Sequence, residues 1–196
     1  MNRSIFKNSK GTSLASLLSN DTVREYTVFS RDLNYEADLV DSVPNIDISR
    51  YLSSESKDVL KNAGSITLSY NANALGVTHL LQALISHEAV VEKLVPIYRS
   101  NLKLLHSIIP KHAEKGVGFN VFSKNNSVNL SEEVEFVLNN SLSEARDMGN
   151  TMLQPEHIFL ALLKSGNTKV SRILWEADLE LTDVSSNIEN ESHKNI

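Results

Sequence analysis

Apolar and small side chains recur at helical spacing in two separate stretches of this chain, in the same order each time. Val59, Leu60, Ala63, Thr67 and Tyr70 trace one face in the first stretch. Val137, Leu138, Ser141, Ala145 and Met148 trace it in the second, with Val134 ahead of them. The two sets are offset by 78 positions (131 − 53), and residues 52–84 lie on residues 130–162 without a gap. Leu52, Ser53, Glu55, Asn62 and Ser65 return as Leu130, Ser131, Glu133, Asn140 and Ser143, and Leu75, His79, Ala83 and Leu84 return as Leu153, His157, Ala161 and Leu162. A self-match of this kind is read before anything else, because it decides the architecture.

Each copy predicts the same succession of helices. The first helix starts at a serine N-cap, Ser53 or Ser131, with acidic residues early in the helix, where the macrodipole favours them. A small polar patch, 71–74 or 149–151, ends it. The second helices, predicted at 77–86 and 155–164, are strongly apolar and should be the most buried of each unit. Pro155 suits the first turn, where no N–H is needed. Third helices are predicted at 90–95 and 170–176, and the first unit adds one through Leu102, Leu105, Ile108 and Ile109, stopping before Pro110. Gly64, inside a first helix, costs about 1 kcal/mol against alanine, which a close helix crossing would explain. The fold class is therefore all-α, with two pseudo-twofold-related helical repeats packed as one domain. Its expected limits are 46–184: repeat one 46–112, a glycine-bearing linker 113–128 and repeat two 129–184. Residues 1–45 form an N-terminal extension, partly ordered at best, with a short helical turn at 13–18 (SLASLL); its mixed charge would suit a cover for the domain. Residues 185–196 are expected to be a flexible tail or linker.

Composition narrows the function. A net charge of −5 argues against a nucleic-acid binder. No apolar run reaches the roughly 18 residues of a membrane span, and the polar residues after MNRSIFK do not read as a secretory signal. The expected setting is cytoplasmic, or an organelle stroma. With no cysteine there is neither a disulfide nor a thiolate zinc site, which suits a reducing compartment. None of the seven glycines precedes a lysine, so there is no P-loop, and no G-x-S-x-G elbow occurs. His87-Glu88 opens like a zincin motif, but Val91 stands where the second histidine belongs. His79 and His157 recur in the first turn of a buried helix, where a packed, hydrogen-bonded imidazole is a stronger reading than a ligand or base. The Glu132, Glu133, Glu135 cluster reads as a solvated helix start and Trp175 as a late core or edge residue. No catalytic or metal site is expected, and the chain is read as a binding module.

The repeated element has a family likeness. Leu75-Gly76-Val77-Thr78-His79-Leu80-Leu81-Gln82-Ala83-Leu84 resembles the I-G-T-E-H-L-L-x-A-L element of the Clp N-terminal domain, and so does residues 153–162, LQPEHIFLAL. The resemblance covers about residues 46–184. It implies the N-terminal domain of a ClpA-, ClpB- or ClpC-type AAA+ chaperone or unfoldase, which receives unfolded protein segments or adaptor proteins. ATP and Mg would belong to a downstream motor that forms a hexameric ring. The alternative it implies is a free-standing accessory subunit of a Clp protease, without its own motor. Carried over by matching position, Ser53 supplies the groove hydroxyl and Glu156 a groove carboxylate. Asn150 falls on a further acidic position, and Asn140 and Glu144 fall on positions that are apolar in the disaggregase type. In the adaptor-using type a glutamate in each T-E-H motif takes phosphorylated arginine; Glu156 keeps one and Thr78 replaces the other, so any such capture should be one-sided.

Overall fold

The computed structural model describes residues 13–18, 48–116 and 128–193. Its elements are helix α1 (Leu14–Leu18), a 3-10 turn (Ile48–Arg50), α2 (Ser54–Ser69), strand β1 (Ala74–Leu75), α3 (Val77–Leu84), α4 (Glu88–His112), β2 (Asn129–Leu130), α5 (Glu132–Asp147), α6 (Pro155–Lys164), α7 (Thr168–Glu176) and α8 (Leu181–His193). The all-α duplicated architecture is as expected. Helices α2 and α5 are each 16 residues long and begin and end at equivalent positions.

The duplication extends to the caps. Ser53 Oγ accepts from Ser56 N at 3.1 Å, and Ser131 Oγ accepts from Val134 N at 3.3 Å, each satisfying a helix-start N–H that has no partner within the helix. At the other end, Asn71 (φ 52°) and Gly149 (φ 72°) turn left-handed at equivalent places. There Ala72 N donates to Thr67 O at 3.1 Å and Asn150 N to Ala145 O at 2.8 Å, the six-to-one bond of a Schellman end.

The repeats are tied together reciprocally. Strand β1 pairs in parallel with β2, Leu75 against Leu130, while Leu52 bridges Leu153 in the same sense. Each repeat thus offers the residue before its first helix to the residue near the start of the other's second helix. Ser131 N donates to Leu75 O at 3.0 Å and Ser53 N to Leu153 O at 3.1 Å. Helices α3 and α6 pack on one another at the centre, and Leu80, Leu81, Leu84, Ile158, Phe159, Leu160 and Leu162 are essentially without solvent contact.

Three expectations are corrected. The two helices predicted between residues 90 and 109 form one, α4, kinked at Tyr98 (φ −116°, ψ 24°) and running through Pro110 to His112. Proline lacks an N–H, but its fixed φ is helical, so a helix near its end can carry one. The segment after 184, expected to be a loose tail, is helical to His193. Val184 and Ile188 are buried, Asn187 Nδ2 donates to the Tyr98 hydroxyl at 2.7 Å, and Lys164 meets Glu189 at 2.8 Å. Trp175 is 78% exposed and contributes nothing to the core. Most of the expected extension and linker, residues 1–12, 19–47 and 117–127, lies outside the described residues.

Candidate functional site

The most specialised chemistry gathers at the starts of α3 and α6, and the repeated histidines build it. Gly76 has no side chain, and the N-cap Gln154 makes no side-chain cap bond. In both helices the third residue instead reaches back: His79 Nδ1 accepts from Gly76 N at 3.1 Å and His157 Nδ1 from Gln154 N at 2.9 Å. This is the return half of a capping box, with imidazole in place of glutamate. Acceptance at Nδ1 puts the proton of the neutral ring on Nε2. In His79 that proton goes to Glu114 O at 3.0 Å. In His157, Nε2 lies 3.2 Å from Asn150 Nδ2, which donates to Met148 O at 3.3 Å.

Both imidazoles are fully buried. Burial holds the pKa of His79 below the ordinary histidine value, against the upward pull of the Glu114 carbonyl bond and charge. Burial does the same at His157, with Glu156 pulling up and Lys93 pushing down. The reading of the two histidines as packed and hydrogen-bonded agrees with this geometry, and among the described residues no group of potential ligands is arranged to hold a metal.

The two sites differ one residue earlier. In α6 that residue is Glu156, which meets Lys93 of α4 at 2.9 Å, with both side chains less than a fifth exposed. In α3 it is Thr78, fully buried, whose hydroxyl donates to Glu114 Oε2. The other oxygen of Glu114 takes Lys169 Nζ at 2.6 Å. Burial opposes the charge on Glu114, but the bonds from Lys169 and Thr78 outweigh it and hold the carboxyl below its usual range. Both sites therefore hold a carboxylate paired with lysine, one carried on the helix and one brought in from the chain just beyond α4. Sequence reasoning missed Glu114. It lies 36 positions from Thr78, and no periodicity links the two.

Of the residues singled out in the sequence, Ser53, Asn150 and Glu156 gather around the Leu52–Leu153 bridge. Ser53 is buried, and its hydroxyl is committed to Ser56. Ser56 Oγ in turn donates to Leu153 O at 2.5 Å. Asn150 is exposed beside His157. Thr78 belongs to the other site. Asn140 is half-buried on α5, and Glu144, one turn further on, is held by Lys164 at 2.7 Å in an ion cluster with Glu189 of α8. A cleft of about 260 Å³ opens at the Thr78 site, between residues 72–76 and the start of α5, lined by Asn73, Gly76, Glu114, Ser131, Glu133 and Lys169.

The chain is thus a duplicated helical unit with reciprocal strand pairs and histidine-closed second helices. The sequence matches the Clp repeat (R) N-terminal domain over residues 51–177, and the chain belongs to that family. Its fold is similar to the Hsp104 N-terminal domain from Candida albicans (TM-score 0.60, 19% identity, covering 70% of this chain and 88% of that one). It is also similar to the N-domain of ClpV from Vibrio cholerae (0.57, 14%, 73% and 87%). The N-terminal domain of the Arabidopsis thaliana protease-associated chaperone ClpD is a further likeness (0.54, 15%, 72% and 94%). No curated protein matches the sequence.

Proposed function

We propose that this chain is the receiving domain of a Clp-type chaperone or unfoldase: it takes unfolded protein segments or adaptor proteins and presents them to a hexameric ATPase ring. In that role the chain needs no ATP or metal of its own; both belong to the motor. The cytoplasm or an organelle stroma is the fitting compartment, and no helix among the described residues is long and apolar enough to cross a membrane. The observation that carries the reading is Glu156, a carboxylate held by Lys93 at the start of α6, beside the exposed Asn150 amide and the Leu52–Leu153 bridge. A carboxylate already paired with lysine can exchange that partner for a cationic or amide group of a passing chain. A shallow polar surface of this kind binds weakly and releases readily.

The test is a residue-by-residue NMR titration of the chain with an unfolded model polypeptide. The expected shifts cluster around Ser53, Asn150 and Glu156 and weaken at least threefold in Glu156→Ala. A flat response at millimolar polypeptide sinks the reading.

A further inference from the structure

Among the buried positions at which the first helices of the two repeats differ, one exchanges a glycine for a large side chain. In α5 it is Leu142, which fills its own surroundings with its side chain. The equivalent residue in α2 is Gly64, and the space above it is taken by another part of the chain. A Cβ added at Gly64 would stand 2.5 Å from Leu14 Cδ2 of α1. Leu14 and Leu17 are buried in the main core cluster and Leu18 packs against it, while Ala15 between them is exposed. The segment is also stitched at its start: Leu14 N donates to Val128 O at 2.7 Å, and Ser13 bridges Asn129, the exposed first residue of β2.

A five-residue helix is far too short to hold its shape alone in water, so the surface that receives α1 imposes its helical form. That surface reads leucines at i, i+3 and i+4, the anchor pattern by which an amphipathic helix lies in a groove. We propose that repeat one carries a docking groove for a helical Leu-x-x-Leu-Leu segment of a partner protein, floored by Gly64, and that Leu14–Leu18 is its resident and exchangeable ligand. At the equivalent place in repeat two stands the buried side chain of Leu142. The tether through residues 19–47 keeps the resident at high local concentration, so a partner segment must compete with it. Glu156 is not among the residues that hold α1, and the proposal stands or falls independently of the reading of that residue.

The experiment uses the full chain and a fluorescein-labelled peptide of residues 10–20 (KGTSLASLLSN) as probe. In the Leu14→Asp/Leu17→Asp variant the resident is released, and the peptide should bind saturably, at least tenfold tighter than to the unaltered chain. Adding Gly64→Leu to that variant should weaken binding at least tenfold. Equal binding to all three proteins, or none to the released variant while its circular dichroism is native, overturns the proposal. So does a dimer of the unaltered chain that Gly64→Leu dissociates, since the groove would then belong to a second copy. Gly64→Leu alone gives an answer even if the aspartate variant does not fold, because it installs the residue repeat two already uses. It should speed chymotryptic cleavage after Leu14, Leu17 and Leu18 several-fold, and unchanged protection there overturns the proposal.

Discussion

The two repeats share the caps and ends of their first helices and the closure of their second, and differ in several buried side chains and in the helices that follow. Serine N-caps, 16-residue first helices, left-handed ends and histidine-closed second helices recur at one offset. Against that constancy stand Gly64 opposite Leu142, Thr78 opposite Glu156, and a 25-residue α4 opposite a nine-residue α7 followed by α8. Caps and buried imidazoles satisfy backbone groups that have no alternative partner, so they tolerate little change. Positions between them differ between the copies.

The largest test of this equivalence is in the core. Phe159 and Leu81 occupy matching places in α6 and α3, both essentially inaccessible. Phe159→Ala should cost about 3–5 kcal/mol and Leu81→Ala about 2–5 kcal/mol, read from urea unfolding. A difference well beyond that overlap would mean that one repeat holds the fold and the other merely leans on it.

The histidine closures should come next. His79→Ala or His157→Ala leaves a buried N-cap N–H without its acceptor, at about 1–3 kcal/mol. His79→Ala should be the costlier, since it also releases the Glu114 carbonyl. These rings also give the comparison a pH axis. Their pKa values in the fold lie below the ordinary histidine value, so the unfolded chain takes up protons first as acid is added. The stability they contribute is fully present above about pH 6.5 and is lost as the pH falls through their depressed values. Unfolding free energy should therefore decline on acidification from pH 7 toward 5, and His79→Ala/His157→Ala should flatten that decline. An unchanged slope in the double variant would place the acid sensitivity elsewhere.

The smallest effects belong to the serine caps. Ser53→Ala and Ser131→Ala should each cost about 1 kcal/mol. The loss should be larger at Ser53, which also donates to Ser56 Oγ at 3.2 Å and is the more buried. Thermal unfolding of the two variants side by side would show whether the network beneath Ser53 adds to the cap.

Much of this fold was legible because the repeat prints its punctuation locally: a serine, acidic first-turn residues, an apolar run and a left-handed end. The fate of α8 was legible too but was missed. Leu181, Val184 and Ile188 make a one-sided stripe at three- and four-residue steps, hidden by the polar residues around it. Pro110 was read as a stop, although a proline near a helix end removes little. The site was harder. His79 and His157 stood out by recurring, and Glu156 by family likeness. The carboxylate serving Thr78 comes from Glu114 through tertiary packing, and only coordinates bring the two together. Gly64 was noticed as a cost to α2, with a close crossing as its cause; that the crossing helix is α1 follows from no local pattern.

The reciprocal strand pairs carry a meaning beyond this chain. Leu52 against Leu153 and Leu75 against Leu130 is the self-complementary contact of a symmetric dimer, written within one polypeptide. A unit of this kind expressed singly would expose both halves of that contact and would have to find a second copy in solution. Joining the halves turns a bimolecular encounter into an intramolecular one and frees the assembly from its own concentration. It also frees each half to mutate without its twin, a licence that no true homodimer holds.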